Sequence, residues 1–195
     1  MAQPENSQPK AFQKRWYDQY DRIAHSIGLI EEFPPPFQRV LGESIIAIAE
    51  NQCQVKNLMG ELRELGPEKV LGLFKSKNKQ RKYDSLPEVH QGINYMYILP
   101  DEERLLIAEQ LIELADSFQK YFVLCRKSGQ EPSVKLASQL SKTYLQSGKQ
   151  ATEAWLSQVS VEVLASSTLD SAQTITYDER LDSGKDGMKI RLEKS

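Results

Sequence analysis

Residues 101–129 read DEERLLIAEQLIELADSFQKYFVLCRKSG, and this stretch decides the fold class. Leu105, Ala108, Leu111, Ile112, Ala115, Phe118, Phe122 and Cys125 recur at intervals of three and four. That spacing lines them along one side of a helix with about 3.6 residues per turn. Asp101, Glu102 and Glu103 complement the positive end of the helix dipole, Arg126 and Lys127 the negative end. Gly129 supplies a stop. The stretch predicts one long amphipathic helix with a buried stripe.

The same period extends in both directions. Downstream, Leu136, Leu140, Tyr144, Ala151 and Trp155 predict a helix from about Pro132 to Gln158, weakened in its middle by Gly148. Upstream, Val89, Ile93, Met96 and Tyr97 predict a helix opened by Pro87 and closed or kinked at Pro100. Further upstream, Phe37, Val40, Leu41, Ser44, Ile45, Ile48, Gln52, Val55, Leu58, Met59, Leu62 and Leu65 keep helical spacing as far as Gly66-Pro67. They predict one long helix, or two broken near Gln52 or Gly60. Pro67 then opens a short helix with Val70, Leu71 and Phe74 inward. The first helix is expected from about Lys10 to Ile30, with Phe12, Trp16, Tyr20, Ile23, Ile27 and Ile30 on its buried face and Tyr17 pointing aside. Phe33-Pro34-Pro35-Pro36-Phe37 follows as a stiff elbow, because proline lacks an amide donor and disfavours helical geometry in the residue before it.

These elements predict an all-α domain over residues 10–158, five to six helices packed orthogonally or as a bundle. Residues 1–9 are expected to be disordered. Residues 159–195 read as a flexible polar tail, in which Ile175-Thr176-Tyr177 and Met188 to Leu192 could pair as a short β-hairpin around Asp182 to Gly187.

A chain of 195 residues supports one well-buried core rather than two full domains. Its net charge of −2 supplies no whole-molecule field toward nucleic acid or membrane, so such a partner would have to be met by a local patch. The opening MAQPENSQPK lacks the apolar stretch of a secretory signal. No apolar run approaches the roughly 20 residues that cross a bilayer. The expectation is a cytoplasmic protein that does not enter membranes. Cys53 and Cys125 fall within helical patterns and read as small buried side chains rather than a disulfide scaffold.

No motif announces chemistry. GxGxxG and GxxxxGK[ST] are missing, and Ser147-Gly148-Lys149 lacks the upstream glycine of a phosphate cradle. His25 and His90 are the only histidines, without CxxC, HExxH or ExxH around them. No catalytic residue, metal or cofactor is therefore expected. His25 reads as a residue at the core edge, and Glu88 lies two positions from His90, on another helical face. Glu109, Glu113 and Asp116 sit opposite the apolar stripe and read as a solvated face.

Two features rise above this background. Lys75, Lys77, Lys79, Arg81 and Lys82, with Tyr83 alongside, stand in a stretch without apolar period, suited to phosphates and a stacking base or to an acidic protein surface. From Pro67 to Leu99 six basic and three acidic residues give net +3. The second feature joins Tyr17 to the elbow residues Phe33 and Pro35 as a groove for a partner. Helical faces, a charged loop and a pliable tail together lead to a non-enzymatic interaction or regulatory protein of the adaptor type, binding another protein. The alternatives are a nucleic-acid-associated factor acting through residues 75–83, and an enzyme whose pocket is assembled from residues distant in sequence.

Overall fold

The computed structural model describes residues 15–72 and 85–181, with 67 and 160–181 as backbone alone. Among the described residues there is no strand. Within them a 3-10 turn, Trp16–Gln19, precedes seven α-helices: α1 Asp21–Ile30, α2 Pro35–Val55, α3 Met59–Glu64, α4 Pro67–Val70, α5 Pro87–Ile98, α6 Asp101–Lys127 and α7 Val134–Leu181. The all-α, bundle-like architecture agrees with the hydrophobic periodicity.

α2 and α6 form the centre. α2 packs on α5, α6 and α7, while α6 packs on α1, α2 and α7. Ile23 and Ile27 of α1, Leu41 and Ile45 of α2, Met96 of α5, Leu111 and Phe118 of α6 and Leu140 of α7 have no accessible surface. Because α6 is covered from several sides, its buried arc is wider than a single stripe. Ile107, Leu114 and Tyr121 join it, whereas Leu105, expected inside, is 40% exposed.

The first helix starts later than the apolar spacing suggests. Arg15 donates its backbone N–H to the Asp18 carboxylate at 2.9 Å, closing the 3-10 turn. Tyr20 is then extended (φ −118, ψ 99), and α1 begins at Asp21. This break resets the helical phase, so Tyr17 is the buried residue and Trp16 and Tyr20 are only partly covered. Residues 10–14 of the expected helix lie outside the described residues.

The long apolar run after the elbow is two helices. α2 begins with Pro35 and Pro36, where a missing N–H costs little, and ends at Val55. Asn57 adopts φ 59, a left-handed conformation that asparagine tolerates, and α3 follows at Met59. The break thus falls between the two expected positions. Leu71, expected inward beyond the one-turn α4, is 55% exposed, and Tyr97 at the end of α5 is 50% exposed. Phe74 lies outside the described residues. Cys53 and Cys125 are both buried free thiols.

The largest departure is in α7. Gly148 has φ 75 and ψ −173 inside the element, and the chain doubles back there. Before Gly148, α7 runs antiparallel to α6: Ser133 meets Tyr121, and Tyr144 meets Glu113. After it, the direction is parallel: Lys149 meets Glu113, and Glu153 meets Lys120. Gly148 is therefore a reversal and not merely a weak point in one helix. The backbone stays helical to Leu181, past the expected end near Gln158. Residues 175–177, one arm of the envisaged hairpin, are helical, and the other arm lies outside the described residues, as does the expected disordered segment 1–9.

Candidate functional site: the cleft at the proline elbow

The elbow ends α1 and starts α2. Phe33 is buried, Pro34, Pro35 and Pro36 are exposed, and Gln38 donates from Nε2 to the Phe33 carbonyl at 2.7 Å, fixing the bend. Phe33 stands edge-on to Phe118 and Phe122 with ring centroids 5.7 and 5.6 Å away. Phe37 meets Phe122 at 4.8 Å. Such tilted pairs are the favoured aromatic geometry and make a rigid floor.

Above that floor opens a cleft of about 470 Å³ lined by Pro34, Phe37, Phe122, Arg126, Gln130, Glu131 and Pro132. Three elements contribute: the start of α2, the last turns of α6 and the loop to α7. Phe37 and Phe122 make the lining aromatic and Pro34 and Pro132 add apolar surface, while Arg126 and Glu131 are exposed charges of opposite sign. The first two residues of α2 are prolines and the Phe37 N–H is used by the Pro34 carbonyl at 2.9 Å, so this helix start presents little to an anion. The cleft suits an apolar side chain flanked by charge.

A second groove, about 520 Å³, lies between α6 and the returning part of α7, with Val123, Leu124 and Leu156 among its lining residues. Lys120 spans its rim, 3.0 Å from Asp116 and 3.4 Å from Glu153.

The residues singled out from sequence are placed apart. Phe33 lies beneath the cleft and Pro35 is exposed at its edge of the fold. Tyr17 is buried at the far end of α6, against Trp16, whose ring lies 5.1 Å from the Arg104 guanidinium. Arg104 and Phe122 are separated along α6 by about 27 Å at ~1.5 Å per residue. Tyr17 therefore does not share a groove with the elbow. Its burial follows from the 3-10 turn, which periodicity alone does not reveal. None of the cleft's lining residues is among those singled out from sequence; of them, Phe122 reads there as core, Arg126 as a dipole partner and Pro132 as a helix start.

Lys75, Lys77, Lys79, Arg81, Lys82 and Tyr83 lie outside the described residues. Their flanks are described and touch. Gly72 has φ +62, and a Cβ there would fall 1.7 Å from the Pro87 carbonyl oxygen. Tyr95 donates its hydroxyl to the Val70 carbonyl at 3.1 Å and accepts from Gln91 at 2.7 Å, securing that contact.

The acidic face of α6 resolves into separate pairs. Glu109 meets Arg22 at 3.0 Å, Asp116 meets Lys120, and half-buried Glu113 accepts the Tyr144 hydroxyl at 2.8 Å with Lys149 at 3.4 Å. Burial, reinforced by the Glu113 carboxylate, pushes the Tyr144 hydroxyl well above the usual tyrosine range. Burial likewise pushes Tyr121 up to about 12. Tyr121 accepts the Ser133 N–H at 2.8 Å. Both phenols stay protonated at neutral pH and tie α7 to α6. His25, expected at the core edge, is exposed, and His90 is half-buried. Among the described residues no group of three or more His, Cys, Asp or Glu is placed to hold a metal ion, and no helix is long and apolar enough to cross a membrane.

The chain matches no protein-family model, no curated protein and no solved structure.

Proposed function

We propose that the protein is a non-enzymatic helical interaction module of the adaptor type, which binds a segment of another protein in the elbow cleft. The observation that carries this reading is the cleft itself: an aromatic floor built on Phe37 and Phe122, two prolines in its lining, and an exposed Arg126 and Glu131. Protein interfaces concentrate binding energy in apolar pockets of this kind, with charges at the edge setting orientation. A bulky apolar side chain followed by an acidic residue fits the cleft next to Arg126.

The test is affinity capture from the source cell with the wild type, Arg126→Glu and Pro34→Ser, beside Val55→Ser as a control at an exposed site far along α2. A partner retained by the wild type and the control but lost with both cleft variants supports the reading. Equal retention by all four chains places the contact surface elsewhere.

A second reading, a nucleic-acid-associated factor, is supported by the five cations and one tyrosine of residues 75–83 and by the contact of Gly72 with Pro87. That contact holds together the two described residues, Gly72 and Pro87, that flank the basic segment.

A further inference from the structure

We propose that residues 149–159 form an exchangeable arm, and that the face of α6 it covers is also the docking surface for the same arm of a second copy of this chain. The reversal rests on one residue. At φ 75 and ψ −173, Gly148 occupies a backbone region that is essentially restricted to glycine. A Cβ there meets nothing within 4 Å, so the restriction is conformational and not one of space. On both sides the sequence is helical, KTYLQS before and KQATEAWL after. Moving Gly148 into the helical region joins the two parts of α7 into one straight rod.

The surroundings favour such an opening. The first part of α7 is anchored to the body by Ser44 and Ser141, whose hydroxyls lie 2.6 Å apart in the core, and by Tyr144 on Glu113. It stays in place while the arm leaves. A straightened α7 continues along α6 beyond Gln110 toward Leu106, one turn earlier on the same side. Leu106 is 46% exposed and Leu145 is 38% exposed beside the point where the chain now turns away. Opening uncovers Leu124 on α6, and Thr152 and Leu156 on the arm, beside Val123, which is exposed already. Thr152 is 0% and Leu156 5% exposed in the closed form, so a lone open chain is costly. The face of α6 fits an arm with Glu153 opposite Lys120 and Lys149 opposite Glu113, whichever chain supplies it. Mutual exchange of an identical element closes a two-fold dimer without new contacts, and short strained hinges invite it.

Two measurements test this by light scattering across a concentration series. Gly148→Ala should tighten dimerisation about tenfold or more, because it penalises only the closed reversal. The decisive sample keeps Gly148. Lys120→Glu and Glu153→Lys chains each carry a like-charge pair across their own arm contact, and mixing them restores both pairs only if arms are exchanged. The loss of the Asp116 partner in Lys120→Glu is common to closed and exchanged forms and cancels. At low salt the mixture should contain several-fold more dimer than either chain alone. A mixture that behaves as the average of its components at every concentration overturns the proposal, whether or not the alanine variant folds.

Discussion

Gly42 and Gly92 face each other where α2 crosses α5. A Cβ on Gly92 would lie 3.2 Å from the Gly42 carbonyl oxygen and 2.9 Å from the Ile45 side chain, and one on Gly42 would lie 2.6 Å from the Val89 nitrogen. The helices approach so closely that backbone, not side chain, fills the interface. That contact holds α5 against the centre of the bundle.

Gly42→Ala is therefore expected to destabilise by about 1–3 kcal/mol, the usual cost of overpacking a filled interior. Gly28→Ala is the contrast. It lies in α1 with nothing within 4 Å of an added Cβ, and should stabilise by about 0.5–1 kcal/mol through helix propensity. Urea denaturation of the two variants measures both. Equal effects of the same sign would mean that the close crossing does not govern stability.

Arg104 carries the junction of α5 and α6. Its guanidinium lies 5.1 Å from the Trp16 ring and 5.5 Å from Tyr97, donates to the Met96 carbonyl at 3.2 Å and to the Tyr97 carbonyl, and meets Asp101 at 2.9 Å. It caps the end of α5 and stacks between two rings at once. A lysine keeps the charge but cannot reproduce the planar fork. Arg104→Lys should cost about 1–2 kcal/mol in thermal or urea unfolding. A change below about 0.3 kcal/mol would make the cluster a surface feature without energetic weight.

Alkaline pH should loosen α7. Tyr121 and Tyr144 are both held above the ordinary value near 10, chiefly by burial. Above that value the unfolded chain releases phenolic protons that the folded chain retains, so the unfolded state binds fewer protons and stability falls as pH rises. The contribution is complete below about pH 10 and, for Tyr121, is lost on the way to about 12. Tyr144→Phe and Tyr121→Phe should each flatten the decline of urea midpoint between about pH 10 and 12. An unchanged slope in both would place the alkaline sensitivity in other groups.

Much of this architecture was legible because burial imposes a period. The spacing of Ile23 and Ile27, of Leu41 and Ile45, and of Leu111 and Phe118 marks α1, α2 and α6 without knowledge of their neighbours. Local conformation was not legible in the same way. Whether Tyr20 is helical or extended depends on an Asp18 carboxylate closing the turn before it, and that single residue decides that Tyr17, not Trp16, is buried. Gly148 shows the same limit: a glycine weakens a helix or reverses it, and only the contacts of Lys149 and Glu153 with α6 tell the two apart. The elbow cleft combined Pro34 with Arg126 and Pro132, residues nearly a hundred positions apart whose individual signals were a turn, a dipole partner and a helix start. Phe33 and Pro35 mark the bend, because proline runs fix one whatever surrounds it, but neither lines the cleft.

The basic segment separates the two functional readings. Five cations between Lys75 and Lys82 can contact several phosphates, but the stretch lacks the apolar period of a helix or strand that reads base edges. Binding through it should be weak, tolerant of sequence and sensitive to salt. If about four side chains displace counterions from duplex DNA, log affinity against log salt should slope near about −3.6. Changing Lys77, Lys79, Arg81 and Lys82 to Ser should remove most of that slope and leave the helical circular dichroism spectrum intact, because none of the four belongs to an apolar helical stripe. Fluorescence anisotropy with single- and double-stranded oligonucleotides at two salt concentrations measures this for both chains. Absence of binding at low salt ends the nucleic-acid reading and leaves the adaptor reading ahead. Binding that survives the four substitutions would instead direct the search to the cations of the helical faces.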